Sequence, residues 1–169
     1  MCGAELVTRE QAAWAALQTV LDPEVPVLSV CDLGIVREVT SDEAGTHVVL
    51  TPTYSGCPAT EVIADSVRVA LEAAGLGPVT VSHRLAPAWT TDWISAQGRE
   101  RLLTYGIAPP GTADAPCGTS PVRLRPRNLA CPRCGSLQTE RLSAFGSTAC
   151  KALHRCLDCR EPFEHFKPL

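Results

Sequence analysis

At 169 residues the chain is sized for one domain, or one domain with a small appendage, and not for two full domains. Its 45% apolar and 20% charged residues exclude disorder throughout and fit a globular protein that buries most of its unfolded surface. The formal net charge of −3 is unevenly divided, −8 over residues 1–120 and +5 over residues 121–169, so a basic third follows an acidic body.

No stretch approaches the roughly 18 consecutive apolar residues of a membrane helix. The amino terminus, Met1-Cys2-Gly3-Ala4-Glu5, has no basic region followed by an apolar run. A cytoplasmic protein without a membrane span is expected.

In chain order, Thr8 and Gln11 form a T-x-x-Q capping box, and Ala13, Trp14, Leu17, Val20 and Leu21 recur at helical spacing, predicting a helix over 8–21. Asp22-Pro23-Glu24-Val25-Pro26 stops it, since proline supplies no ladder donor and biases its predecessor away from helix. Residues 34–39 and 46–51 flank the turn Ser41-Asp42-Glu43-Ala44-Gly45 and read as a hairpin. The stripe Val62, Ile63, Val67, Ala70, Leu71 and Ala74 predicts a second helix over 59–74, ended by Gly75. Val79 to His83 alternates as a third strand, and Thr91 to Tyr105 reads as a further helix.

Gly56-Cys57-Pro58 stands at the mouth of the second helix. Proline suits a first helical turn, which places Cys57 at or beside the N-cap, where unpaired amides and the helix dipole favour a thiolate. Such a sulfur is nucleophilic or metal-binding; the plainer alternative is a small residue packed at a strand-to-helix turn. Asp22, Glu24 and Asp32 are the nearest carboxylates in sequence, each equally suited to capping backbone amides in a turn. Folded over the helix mouth, they and Cys31 would join Cys57 in a transient ligand set for iron.

Prolines 109, 110, 116, 121 and 126 mark residues 108–128 as a linker between a first domain, 1–107, and a short module, 129–169. Nine cysteines, an odd count, argue against a disulfide framework. Four of them, Cys131, Cys134, Cys156 and Cys159, form two C-x-x-C pairs with 21 residues between, the pattern of a four-thiolate zinc site. Arg160 stands where a glycine commonly follows the second pair, which points to a different turn there. Leu137, Leu142, Phe145, Leu153, Phe163 and Phe166 are most of the module's bulky hydrophobes, too few to fold it without a structural Zn²⁺. Cys150, His154 and His165 are spare donors and read more simply as packed residues. Trp89 and Trp93 read by default as packing against the sheet, with a partner-binding patch as the sharper alternative, and His47 and His83 are assigned no chemistry.

The run Leu21-Asp22-Pro23-Glu24, the box Asp32-Leu33-Gly34-Ile35-Val36 and the Gly56-Cys57-Pro58 turn together resemble the small iron–sulfur assembly domain of SufT-like proteins. From about residue 20 to 167, a longer set resembles the family of D subunits (also labelled J) of the multicomponent phenylacetyl-coenzyme A monooxygenase, or ring 1,2-epoxidase. That set is Thr51-Pro52-Thr53-Tyr54-Ser55-Gly56-Cys57-Pro58, Ala88-Trp89-Thr90-Thr91-Asp92-Trp93-Ile94, Tyr105-Gly106-Ile107-Ala108-Pro109-Pro110 and Phe145-Gly146-Ser147-Thr148-Ala149-Cys150-Lys151-Ala152-Leu153. The resemblance implies an α+β protein, a mixed α/β iron–sulfur-assembly-type domain followed by a zinc-ribbon-like module. It implies a non-catalytic accessory role in aerobic phenylacetate breakdown, handling iron or an iron–sulfur cluster for the reductase or the di-iron oxygenase component. The family's conserved thiol maps onto Cys57 and its acidic turn onto Asp22 and Glu24. Whether one chain binds at Cys57, or a homodimer bridges there, stays open.

Two other readings use the same residues. A nucleic-acid or protein adaptor would rely on Arg123, Arg125, Arg127, Arg133 and Arg155 of the basic module, but overall acidity and the lack of interleaved aromatics disfavour nucleic acid. A thiol oxidoreductase would use the C-x-x-C pairs, which tightly bound zinc would block.

Overall fold

A computed structural model describes residues 2–54, 56–111 and 129–168, with side chains from residue 9 onward. It divides into two compact units, residues 1–98 and 99–169. Of the expected linker over 108–128, residues 112–128 lie outside the described residues. Among the described residues no helix is long and apolar enough to cross a membrane.

The first unit packs helices α1 (Cys2–Leu17) and α2 (Thr60–Ala73) on one face of a sheet of β1 (Val36–Asp42), β2 (Gly45–Leu50) and β3 (Val79–His83). β1 and β2 form the antiparallel hairpin expected from their alternation, Val39 facing Val48 across the ladder. α2 then carries the chain back so that β3 runs parallel to β2, Val48 beside Val81. Leu17, Leu28, Val48, Val67 and Leu71 are sealed in the core. Outward-facing residues are polar, with Arg84 clasping Glu38 through two bonds of 2.7 Å and His47 Nε2 lying 2.8 Å from Ser82 Oγ.

α1 differs from expectation at both ends. Thr8 and Gln11 lie inside the helix, so they do not cap its start, and the helix stops at Leu17 before Leu21 pairs with Ser29 in an isolated bridge. The end of α2 matches the reading of Gly75. Gly75 N donates to Glu72 O (2.9 Å) and Leu76 N to Leu71 O (3.0 Å), the paired bonds of a Schellman turn. The helix expected over 91–105 is broken. A single 3₁₀ turn, Thr91–Trp93, is capped by Thr90, and α3 (Ala96–Tyr105) starts afresh where Ser95 Oγ accepts from Gly98 N at 2.8 Å. Trp89 is buried and donates from Nε1 to Leu33 O (2.8 Å), while Trp93 lies under the Arg37 guanidinium, 3.5 Å from its ring centroid. Both indoles serve packing.

The second unit holds a four-stranded sheet in the order β4 (Ile107–Ala108), β7 (Pro162–Phe166), β6 (Lys151–Cys156), β5 (Thr139–Ser143). β4 is parallel to β7, and the other pairs are antiparallel. Arg99 Nη1 donates to Pro110 O (2.7 Å) just past β4. The cluster of buried residues is small: Ala108, Cys131, Cys156 and Phe163, with Leu129 against them. Of the six bulky hydrophobes named from the sequence, Phe163 and Phe166 are buried, but Leu137, Leu142 and Phe145 are exposed by 53%, 49% and 65%. Strands this short offer one narrow apolar face, and these three side chains fall outside it.

Candidate functional site

Each C-x-x-C pair sits in a tight turn at one end of the ribbon sheet, the first leading into β5 and the second joining β6 to β7. In the first turn Gly135 N donates to Cys131 O (2.9 Å) and Cys131 N to Ser136 O (2.9 Å). In the second, Cys156 N donates to Glu161 O (3.0 Å). Leu157 N donates to Gln138 O (2.8 Å) and Ser136 Oγ to the Asp158 carboxylate, stitching the two turns together. The turns are alike, contrary to the expectation from Arg160. Gly135 has φ +74° and Arg160, at the matching place, φ +66°. The backbone reversal at the sulfurs is the same in both, and Arg160 accepts a left-handed conformation that costs a non-glycine residue about 1–2 kcal/mol.

This geometry gathers four sulfurs. Cys131 Sγ and Cys159 Sγ are 3.8 Å apart, Cys134 Sγ and Cys156 Sγ 3.6 Å, and all four lie within 4.8 Å of one another. A tetrahedral ion bound to thiolates at about 2.3 Å sets sulfur–sulfur edges of about 3.8 Å, so the quartet encloses a space of zinc size. Backbone amides aim at the sulfurs: Ser136 N–H at Cys134, Glu161 N–H at Cys159, and Cys159 and Asp158 N–H at Cys156. Those amides pull the Cys156 thiol down to about 7. On Cys159 the Glu161 amide pulls the same way, but burial and the sulfurs of Cys156, Cys134 and Cys131 outweigh it and push the thiol up to about 12. Binding of a divalent ion by such sulfurs releases whatever protons they carry.

The spare donors of the module lie elsewhere. Cys150 is buried with Sγ 3.1 Å from Thr148 Oγ1, and the rings of His154 and His165 meet edge to face at 5.5 Å. Sequence reasoning missed the pairing of Lys151 with Glu164 (2.9 Å), where Glu164 also accepts from Ser147 N (2.6 Å). Its sequence signal is the Phe145 to Lys151 segment, whose turn is built on that carboxylate. Arg123, Arg125 and Arg127 lie outside the described residues, and Arg155 is ion-paired with Glu140.

In the first unit Cys57 is half-buried on the turn before α2. Its carbonyl accepts from Thr60 N (3.3 Å) and Thr60 Oγ1 (2.9 Å), and the N-cap proper is Ala59, which has no side-chain cap. Pro58 thus precedes the cap and does not enter the first helical turn. The carboxylates serve their own loops. Asp22 Oδ1 accepts from Glu24 N (2.8 Å) and Val25 N (2.7 Å), folding the D-P-E-V-P turn. Asp32 Oδ2 accepts from Ser29 N (3.0 Å) and Ser29 Oγ (2.9 Å), and its Oδ1 from Ser95 Oγ (3.0 Å). Next to it Gly34, with φ +68°, lies so close to Trp93 that an added Cβ would stand 2.6 Å from Trp93 O. Burial, with the Asp32 charge beside it, pushes the Cys31 thiol up to about 11. Among the described residues, one group of three or more metal-binding side chains gathers its donor atoms within 4.8 Å, and it is the ribbon quartet.

An iron–sulfur-assembly-type α/β domain joined to a four-cysteine β-ribbon is the class that this fold and site define. Residues 10–82 match the family model described as iron-sulfur cluster assembly protein, and residues 117–167 the PaaD zinc beta ribbon domain. The chain belongs to the family of the phenylacetyl-CoA epoxidase D subunits. It is 51% identical over 154 residues, 91% of its length and 90% of its relative's, to the protein named as the D subunit of the "Putative 1,2-phenylacetyl-CoA epoxidase" of Escherichia coli (strain K12). It is 40% identical over 89 residues, 52% of its length, to 86% of the Bacillus subtilis (strain 168) Fe-S protein maturation auxiliary factor YitW. Among solved structures, a DUF59 domain of unknown function from Bacillus anthracis superposes with a TM-score of 0.55 at 26% identity, covering 59% of this chain and 95% of that one.

Proposed function

We propose that this chain is a non-catalytic accessory factor of a phenylacetyl-CoA epoxidase system, acting in the cytoplasm. It assists assembly or maintenance of iron or iron–sulfur centres in the reductase or the di-iron oxygenase component. The metal or cluster is cargo, and Cys57 is the exchangeable ligand that receives and releases it. Asp22, Glu24 and Asp32 complete the proposed cargo-handling region; Asp22 and Asp32 act by fixing the loops of the first unit through the hydrogen bonds described above. Cys131, Cys134, Cys156 and Cys159 hold a resident Zn²⁺, which supplies folding energy to the ribbon and takes no part in transfer.

The observation that carries this reading is the contrast among the sulfurs: four face one another in a cage, whereas Cys57 is half-buried and, among the described residues, belongs to no gathered group of three or more metal-binding side chains. A caged thiolate exchanges slowly; a single accessible thiol suits transient loading. Relatives named as Fe-S maturation factors support the same role. The test is metal transfer in vitro. Cys57→Ser is expected to keep the fold and a full complement of zinc while iron loading of apo reductase or apo oxygenase, followed by visible absorption and activity, falls to the unassisted level. Full loading of both clients by the variant refutes the carrier role.

A further inference from the structure

We infer that the groove between α2 and the segment Thr19 to Leu21 that follows α1 docks an amphipathic helix of a client protein, one that presents apolar residues inward and Lys or Arg along its flanks. The groove has a volume of about 570 Å³, and Leu21, Val62 and Val69 stand along it with exposures of 50%, 53% and 65%. Val62 and Val69 are two helical turns apart, with Ala70 and Ala73 continuing the strip. A helical partner fills such a strip with side chains at i, i+3, i+4 and i+7.

The two hydroxyls of the lining are turned inward to their own backbone. Ser66 Oγ donates to Val62 O (2.8 Å) and Thr19 Oγ1 to Ala16 O (2.7 Å). The floor therefore offers methyl and methylene surface and suits an apolar face better than a small polar ligand. Charge selects the partner. α2 carries Glu61, Asp65 and Glu72 against one cation, Arg68, which pairs with the groove-lining Asp65 at 2.5 Å, and residues 1–98 carry a net −8. A second copy would bring an equally acidic rim against this one, whereas a basic-flanked helix complements it. Cys57 lies on the turn leading into α2, five residues before Val62, so a client seated toward the amino-terminal end of that helix reaches the turn bearing the thiol.

The test titrates the full zinc-loaded chain with a synthetic helical peptide carrying leucines at that spacing and lysines elsewhere, beside a twin with glutamates for lysines. The lysine peptide is expected to bind, to shift the α2 amide resonances and to weaken as salt rises. Val69→Lys and the uncharged pair Val62→Gln/Val69→Gln should each weaken it about tenfold; both positions are exposed, so the fold survives. Binding should be undiminished in Cys57→Ser, which separates failed docking from failed metal transfer. The lysine peptide should also displace whichever epoxidase component binds the chain. Equal binding of the glutamate twin, no binding of the lysine peptide, or a component that stays bound beside it overturns the inference. Self-association of the chain that vanishes in Val69→Lys does so too, by giving the groove to a second copy.

Discussion

In the first unit Leu17, Leu28, Val67 and Leu71 are closed off beneath two helices, while in the ribbon Leu137, Leu142 and Phe145 stand in solvent and the buried cluster includes Cys131 and Cys156. The first unit is organised by removing apolar area from water, at about 25 cal/mol per Å². The ribbon has little such area, so on the proposed reading its order depends on bonds between zinc and sulfur. That reading makes one part of the chain fold on its own composition and the other in step with metal supply.

The largest effect expected from that contrast is on metal removal. Chelation, or Cys131→Ser, should unfold the ribbon, since structural zinc contributes about 10–16 kcal/mol of apparent binding free energy in small domains. The β1–β3 sheet and α2 should persist, and residue-resolved amide spectra will distinguish the two units. Loss of both together would break the comparison.

Acid sharpens it further. Burial, and then the neighbouring His154 ring, push His165 down to about 4 from an ordinary 6.5. The imidazole is neutral in the folded ribbon and takes up a proton on unfolding, so its contribution is complete above about 6.5 and lost as pH falls toward 4. His165 is only partly buried, which limits the effect to about 1–2 kcal/mol. In chemical denaturation of the zinc-loaded protein, His165→Phe should flatten the slope over that window. Protonation of the thiolates acts on both proteins, so the difference between them isolates the imidazole.

The smallest expected effect concerns the second cysteine turn. Arg160→Gly should raise ribbon stability by about 0.5–1 kcal/mol by relieving the left-handed backbone, with zinc stoichiometry unchanged. A loss of stability would show that the Arg160 side chain does more than its backbone strain suggests.

Elements with strong periodicity are readable from the chain. α2 and the hairpin lie within three residues of their expected limits because their apolar repeats run unbroken, and Gly75 marks the turn expected of it. The start of α1 is misleading in sequence because a capping box is a local pattern that also occurs inside a helix. The four-cysteine site is legible because two C-x-x-C pairs constrain geometry strongly. The first unit's carboxylates are not, since Asp22 and Asp32 look alike as ligands or as loop anchors until their partners are seen. The ribbon strands are equally hidden: β5 exposes the middle of its sequence, and β4 has two residues.

The two-residue strand β4 has a practical consequence. Ile107 and Ala108 lie along β7 although they precede the prolines, and Arg99 reaches forward to the Pro110 carbonyl. Severing the chain in the proline stretch would strip an edge from the sheet downstream and leave Phe163 without its neighbour Ala108. Anyone transplanting the zinc-dependent half onto another scaffold needs to begin the graft upstream, within α3.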